Sequence, residues 1–198
     1  MNIAVFCGSH MGRNPHFEEA ARTLGGLLAS NGHTLVYGGS SWGYMGVVAK
    51  AAYDAGGRVV AVIPSLFEQS VIDSQPVHEL HVVRNMAERK HLLAELADAY
   101  IALPGGVGTI DEATEMLTNN QLQLSGGMSE TRKDASHVAY LNPPTDCKLI
   151  GFVNTDGYYD HFLLQLKHMV DEGLFAPHHY KAVVAAPSPE ALLDIICK

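Results

Sequence analysis

The chain has 198 residues, 47% of them hydrophobic, and its 13 basic and 21 acidic residues leave a net charge of −8. That length suits one domain, residues 1–198, around a single core, and with no Lys/Arg cluster longer than two the acidic balance disfavours nucleic acid and anionic membrane as partners. Nothing approaches the roughly 20 apolar residues of a membrane span, Met1–Phe6 lacks the basic start of a signal peptide, and the scattered Cys7, Cys147 and Cys197 fit a reducing cytoplasm, each expected to be a small buried hydrophobe.

In chain order, short β-rich runs alternate with helical patterns. Ile3–Cys7 precedes Phe17–Asn31, Thr34–Tyr37 precedes Met45–Ala55, and Val59–Ile63 is followed by Glu79–Val83 and then Met86–Ala97. Tyr100–Leu103 precedes Thr109–Leu122, Leu149–Val153 precedes Tyr159–Glu172, and Ala182–Ala185 precedes Pro189–Cys197. The alternation predicts an α/β fold: a Rossmann-like, doubly wound parallel sheet with helices on both faces. The strands read as unbroken apolar runs, as in Val59-Val60-Ala61-Val62-Ile63, which is expected when both sheet faces are covered. Ser125–Asp146 breaks the rhythm; it is polar, carries Gly126-Gly127 and Asn142-Pro143-Pro144, and reads as an irregular loop.

In a doubly wound sheet ligands sit at the carboxyl ends of strands near the switch point. There Cys7-Gly8-Ser9, Tyr37-Gly38-Gly39 and Pro104-Gly105-Gly106-Val107-Gly108-Thr109 converge. The last is the most informative: a strand, a glycine turn and a helix start make an anion seat of backbone N–H groups and positive dipole. Glu112 adds a carboxylate beside it. Thr109-x-x-Glu112 also reads as a capping box, although a cap alone does not require so many glycines, each costing roughly 0.5–1 kcal/mol relative to Ala.

Taken together, Cys7-Gly8-Ser9, Tyr37-Gly38-Gly39 through Gly43-Tyr44-Met45-Gly46, Met86-Ala87-Glu88-Arg89-Lys90, Pro104–Glu112 and Asn154-Thr155-Asp156-Gly157-Tyr158-Tyr159 resemble the Lonely Guy (LOG) family. Its members are phosphoribohydrolases that cleave purine-type nucleoside 5′-monophosphates, cytokinin nucleotides included. The resemblance spans nearly the whole chain. It implies that Arg89 and Glu112 form the catalytic pair, that Gly105, Gly106, Gly108 and Thr109 hold the 5′-phosphate, and that Ser9, Gly39 and Met86 line the nucleotide. Lys90 is a further candidate, and a homodimer is implied. The chain departs from the family's usual His at Ala87, Leu at Tyr44 and Trp at Asn119, and carries Ser125–Asp146 in place of a short connection.

Breaking an N-glycosidic bond builds positive charge on ribose and negative charge on the departing base, so a carboxylate and a guanidinium suit the task. Read from the residues alone, Arg89 and Lys90 form a solvated helix face, and Asp111 and Glu115 compensate a helix dipole. Trp42 and Tyr44 read as packing or interface aromatics. A metal is not expected: His78 and His81 would point to opposite faces of a strand, and no Cys/His cluster occurs. No cofactor is called for either, since relatives labelled lysine decarboxylases would need pyridoxal phosphate on a lysine, and nothing marks such a site. The rival reading is a non-catalytic nucleotide or phosphate-cofactor carrier, favoured if Glu112 serves only as a cap.

Overall fold

A computed structural model describes residues 1–67, 77–122 and 147–198; the expected loop at Ser125–Asp146 lies outside the described residues. Seven strands form one fully parallel sheet, in the order β4-β3-β2-β1-β5-β6-β7. They are β1 (Asn2–Phe6), β2 (Thr34–Tyr37), β3 (Val59–Pro64), β4 (Glu79–Val83), β5 (Ala99–Ala102), β6 (Ile150–Val153) and β7 (Val183–Ala186). The helices are α1 (Pro15–Ser30), α2 (Gly43–Asp54), α3 (Met86–Leu96), α4 (Val107–Leu122), α5 (Asp160–Asp171), the single turn α6 (Pro177–Tyr180) and α7 (Pro189–Ile196).

Because side chains alternate along a strand, the sheet splits its apolar residues between two cores. Ile3, Val5, Leu35, Tyr37, Ala61 and Ile101 pack under α1, α2 and α7. Ala4, Phe6, Val36, Val62, Tyr100 and Phe152 pack under α3, α4 and α5. This is the doubly wound arrangement the alternation predicts. All six residues of β3 are buried, whereas the edge strand β4 has none fully buried.

Several helices begin about two residues before their apolar pattern does. Asn14 caps α1 by accepting a hydrogen bond from His16 N (3.0 Å), with Pro15 as the first helical residue. Asn85 likewise accepts from Glu88 N (3.0 Å), while the Glu88 carboxylate accepts from Arg84 N (3.0 Å). That cap fixes where α3 starts and therefore which of its residues turn inward: Arg89, Leu93 and Ala94. The reversal of strand order falls between β1 and β5, which pair Phe6 with Ala102, so the loops leaving these strands part over a crevice.

Among the described residues no helix is long and apolar enough to cross a membrane. The expectation for the cysteines is corrected at one position. Cys7 is buried and Cys147 partly so, but Cys197, just beyond the last turn of α7, is exposed.

Candidate active site

Gly8 N donates to Pro104 O (3.2 Å), joining the turns that leave β1 and β5. The two turns open onto a cleft of about 320 Å³. Gly106, Val107, Gly108 and Thr109 line one end, Ser9 and Cys7 the side of β1, Met45 and Met86 an apolar wall, and Arg89 and Glu112 the interior. A second crevice of about 400 Å³ lies on the other side of Gly8, Ser9 and Gly106, walled by Arg13, Phe17, Gly105 and Tyr158.

The candidate anion seat follows from where α4 begins. Gly106 O accepts from both Thr109 N (3.1 Å) and Ile110 N (3.2 Å), so the helix is already under way at Val107. Its first amides have no carbonyl within the helix to bond, and Gly106 to Gly108 are exposed at the cleft. Gly105 has to be glycine: a Cβ there would strike Thr109 Oγ1 and lie 2.8 Å from Gly8 N. The capping-box reading is thereby corrected. Thr109 stands inside the first turn rather than at the cap, and Glu112 sits nearly a full turn past the position from which a carboxylate reaches back to the cap.

Glu112 instead faces Arg89. Arg89 Nη1 donates to Glu112 Oε1 at 2.7 Å, and Arg89 Nε donates to the carbonyl of Val62 at 3.3 Å. The two side chains are only 9% and 12% exposed, so Arg89 is not the solvated residue that its local sequence suggests. Space for the guanidinium comes from the turn that leaves β2, because a Cβ on Gly38 would overlap it. Burial pushes the Glu112 carboxyl above its ordinary range, against the opposing pull of Arg89. The Cys7 thiol beside it is also pushed up, by burial and then by the Glu112 charge, and stays protonated.

Lys90, next along α3, points elsewhere. Its Nζ donates to Asp111 Oδ2 (3.2 Å) and pairs with Glu115, and the Glu115 hydrogen bond leads the causes that raise its pKa. An amine held protonated in this way does not fit the Schiff-base lysine that pyridoxal phosphate would need. Gly39 is buried at the end of β2 with φ of 75° and does not line the cleft; Gly105 lines the second crevice. Trp42 is 74% exposed and so packs little against its own chain, while Tyr44 is buried.

Three supports escaped the sequence reading. Tyr159 OH donates to Leu103 O and Tyr158 OH to Gly105 O, both at 2.5 Å, and Asn154 Oδ1 accepts from Tyr159 N at 2.7 Å. These residues belong to the Asn154–Tyr159 motif that carries part of the family resemblance, yet nothing local ties them to the glycine turn. Together they brace the carbonyls behind the anion seat from the β6 side.

The parallel sheet, the glycine turn at its switch point and the buried carboxylate–guanidinium pair define a doubly wound α/β protein whose cleft brings a helix start and an ion pair together. Residues 45–196 match the family model described as possible lysine decarboxylase. The chain is 37% identical over 191 residues to cytokinin riboside 5′-monophosphate phosphoribohydrolase LOG of Oryza sativa subsp. japonica, covering 96% of this chain and 70% of that protein. It is also 37% identical to the corresponding enzyme LOG7 of Arabidopsis thaliana, covering 96% and 78%. The chain belongs to the LOG family. Among solved structures, a molybdenum cofactor binding protein from Rippkaea orientalis superposes with a TM-score of 0.67 at 23% identity over 99% of this chain and 94% of that one. The Moco carrier protein of Chlamydomonas reinhardtii gives 0.64 at 20% identity over 99% and 94%. At those identities the likeness is one of fold.

Proposed function

We propose that this chain is a phosphoribohydrolase that cleaves the N-glycosidic bond of purine-type nucleoside 5′-monophosphates, AMP or N6-modified AMP such as cytokinin nucleotides. Water is consumed, and free base and ribose 5-phosphate are released. The observation that carries this reading is the buried Arg89–Glu112 pair (2.7 Å) in the same cleft as the glycine seat. The names of the rice and Arabidopsis relatives support the same reaction.

The 5′-phosphate sits at the start of α4 against Gly106, Gly108 and Thr109, with Gly105 shaping the turn and Ser9 on the facing loop. Held there, the nucleotide places its C1′ towards Glu112, and phosphate binding energy serves to orient the reacting bond. Glu112 in its ionised form stabilises the oxocarbenium-like state or activates the water that adds to C1′. Arg89 keeps that carboxylate ionised and steadies negative charge developing on the base. Met86 and Met45 give the base an adaptable apolar wall. Lys90 acts from outside the cleft, through Asp111.

A carrier that binds without turnover is the poorer account, because Glu112 is turned into the cleft rather than spent on a helix cap. The protein works as a homodimer in the cytoplasm; Met86 and Val107 exposed at the cleft, with Trp42 exposed at the start of α2, support an oligomer contact, and the three scattered cysteines accord with a reducing compartment. The test is chromatography of free base and ribose 5-phosphate after incubation with AMP, N6-isopentenyl-AMP and adenosine. Release from the monophosphates and none from adenosine is expected; nucleotide binding without release from any of them overturns the reading.

A further inference from the structure

The loop between β1 and α1, residues 8–14, separates the cleft from the second crevice, and Gly8 and Ser9 line both. Its ends are fixed. Gly8 N donates to Pro104 O, and Asn14 both caps α1 and donates through Nδ2 to Asp156 Oδ2 (2.7 Å). Between them, among the described residues, one hydrogen bond holds the backbone of residues 9–13: Gly12 N donates to the hydroxyl of Tyr44 at 2.7 Å. Tyr44, in the first turn of α2, also donates its own N–H to Gly8 O at 2.9 Å. The one residue therefore grips the loop near both ends of its free span.

The surroundings of Tyr44 support a role beyond filling space. The side chain is 3% exposed, and burying a phenol hydroxyl costs free energy unless it finds a partner. Its partner is a loop amide rather than a group of the core. The Tyr44 ring meets Phe17 edge-on, with centroids 6.5 Å apart, Phe17 meets Tyr158 edge-on at 5.1 Å, and Tyr158 OH bonds Gly105 O. The chain of contacts runs from the loop to the glycine turn, so the two walls of the anion seat share one brace.

We infer that Tyr44 is a positioning residue whose hydroxyl holds the Gly8–Arg13 loop as the fixed wall of the phosphate seat, so that its loss weakens ligands carrying a 5′-phosphate and spares those without one. This rests on the proposed nucleotide site and deepens it.

Tyr44→Phe removes the hydroxyl and keeps the ring, so the brace to Phe17 survives. Calorimetric Kd for AMP and KM for the monophosphate should rise together about fivefold, the scale of one intramolecular hydrogen bond. The kcat for the monophosphate should fall by no more than its KM rises, the Kd for adenosine should stay within about twofold, less than half a decade of affinity, and hydrogen exchange at the Gly12 amide should quicken. Equal weakening of AMP and adenosine, a fall in kcat at unchanged KM, or faster exchange at Gly12 with unchanged AMP affinity each overturns the inference. Should the wild-type chain bind AMP without cleaving it, the hydrolase reading fails while the Kd comparison still decides this one. A wild-type chain with no affinity for AMP overturns both.

Discussion

Arg89 and Lys90 are neighbours on α3, and both reach across to carboxylates of α4, yet the two contacts have opposite characters. The inner pair, Arg89 with Glu112, is nearly sealed from water and opens only into the cleft; the outer group, Lys90 with Asp111 and Glu115, stands at the surface, where Asp111 is 60% exposed. One residue of helix rotation separates a site that can do chemistry from a surface ion pair. In the sealed pair the charges feel one another strongly, and burial raises the Glu112 pKa against the pull of Arg89. Outside, water screens the same kinds of charge and little free energy is at stake.

Breaking the inner pair should have the largest effect. Arg89→Ala leaves Glu112 buried without its partner, which costs roughly 3–5 kcal/mol of stability, read by urea denaturation, and should lower kcat/KM by about 10² or more. Gly38→Ala is subtler: the added Cβ displaces the guanidinium while leaving both charges in place. A shift of that kind is expected to cost about 10²-fold in turnover, with a smaller loss in thermal midpoint than Arg89→Ala.

The pH dependence sharpens the contrast. Glu112 has a folded pKa raised above the ordinary 4.5, so between 4.5 and that raised value the folded state binds more protons than the unfolded one. Its contribution to stability is therefore fully present below 4.5 and declines as pH rises through that window. Activity should run the other way, with the acid limb of kcat/KM lying above 4.5 because ionised Glu112 is the working form. Removing Arg89 should push that limb higher. The smallest effect belongs to the outer group: Lys90→Ala should change stability by about 1 kcal/mol or less and move the acid limb upward far less than Arg89→Ala, because Lys90 is the weakest of the charges acting on Glu112.

The strand and helix order was readable because most strands, β3 above all, are dense apolar runs and the helices between them, such as α1 and α7, carry their own periodicity. The seat was readable for a local reason too, since Pro104 to Thr109 is contiguous and two of its glycines, Gly106 and Gly108, have open space where a Cβ would stand. What was not legible depends on distant partners. Arg89 sits in Met86-Ala87-Glu88-Arg89-Lys90-His91, a stretch with little amphipathic pattern, and its burial is decided by the missing Cβ of Gly38, just past the end of β2. Thr109-x-x-Glu112 fits a capping box by spacing, and only the earlier helix start at Val107 rules it out. Gly39, which the resemblance places at the nucleotide, is buried with a left-handed φ of 75°, and its neighbour Gly38 makes the close approach to Arg89. Tyr44 read as packing, and it does pack; its bond to Gly12 needs a loop conformation that no local pattern encodes.

The most direct test of the inner pair sets the wild-type chain beside Glu112→Gln, which keeps the shape of the side chain and removes its charge. Both would be saturated with AMP, checked by calorimetry, and assayed by chromatography for adenine and ribose 5-phosphate. The wild-type chain should release both products in equal amounts, and Glu112→Gln should bind the nucleotide yet release at least about 10²-fold less. Equal release by the two proteins, or binding without release by both, would contradict the account and leave Arg89 and Glu112 as a buried ion pair that only supports the fold.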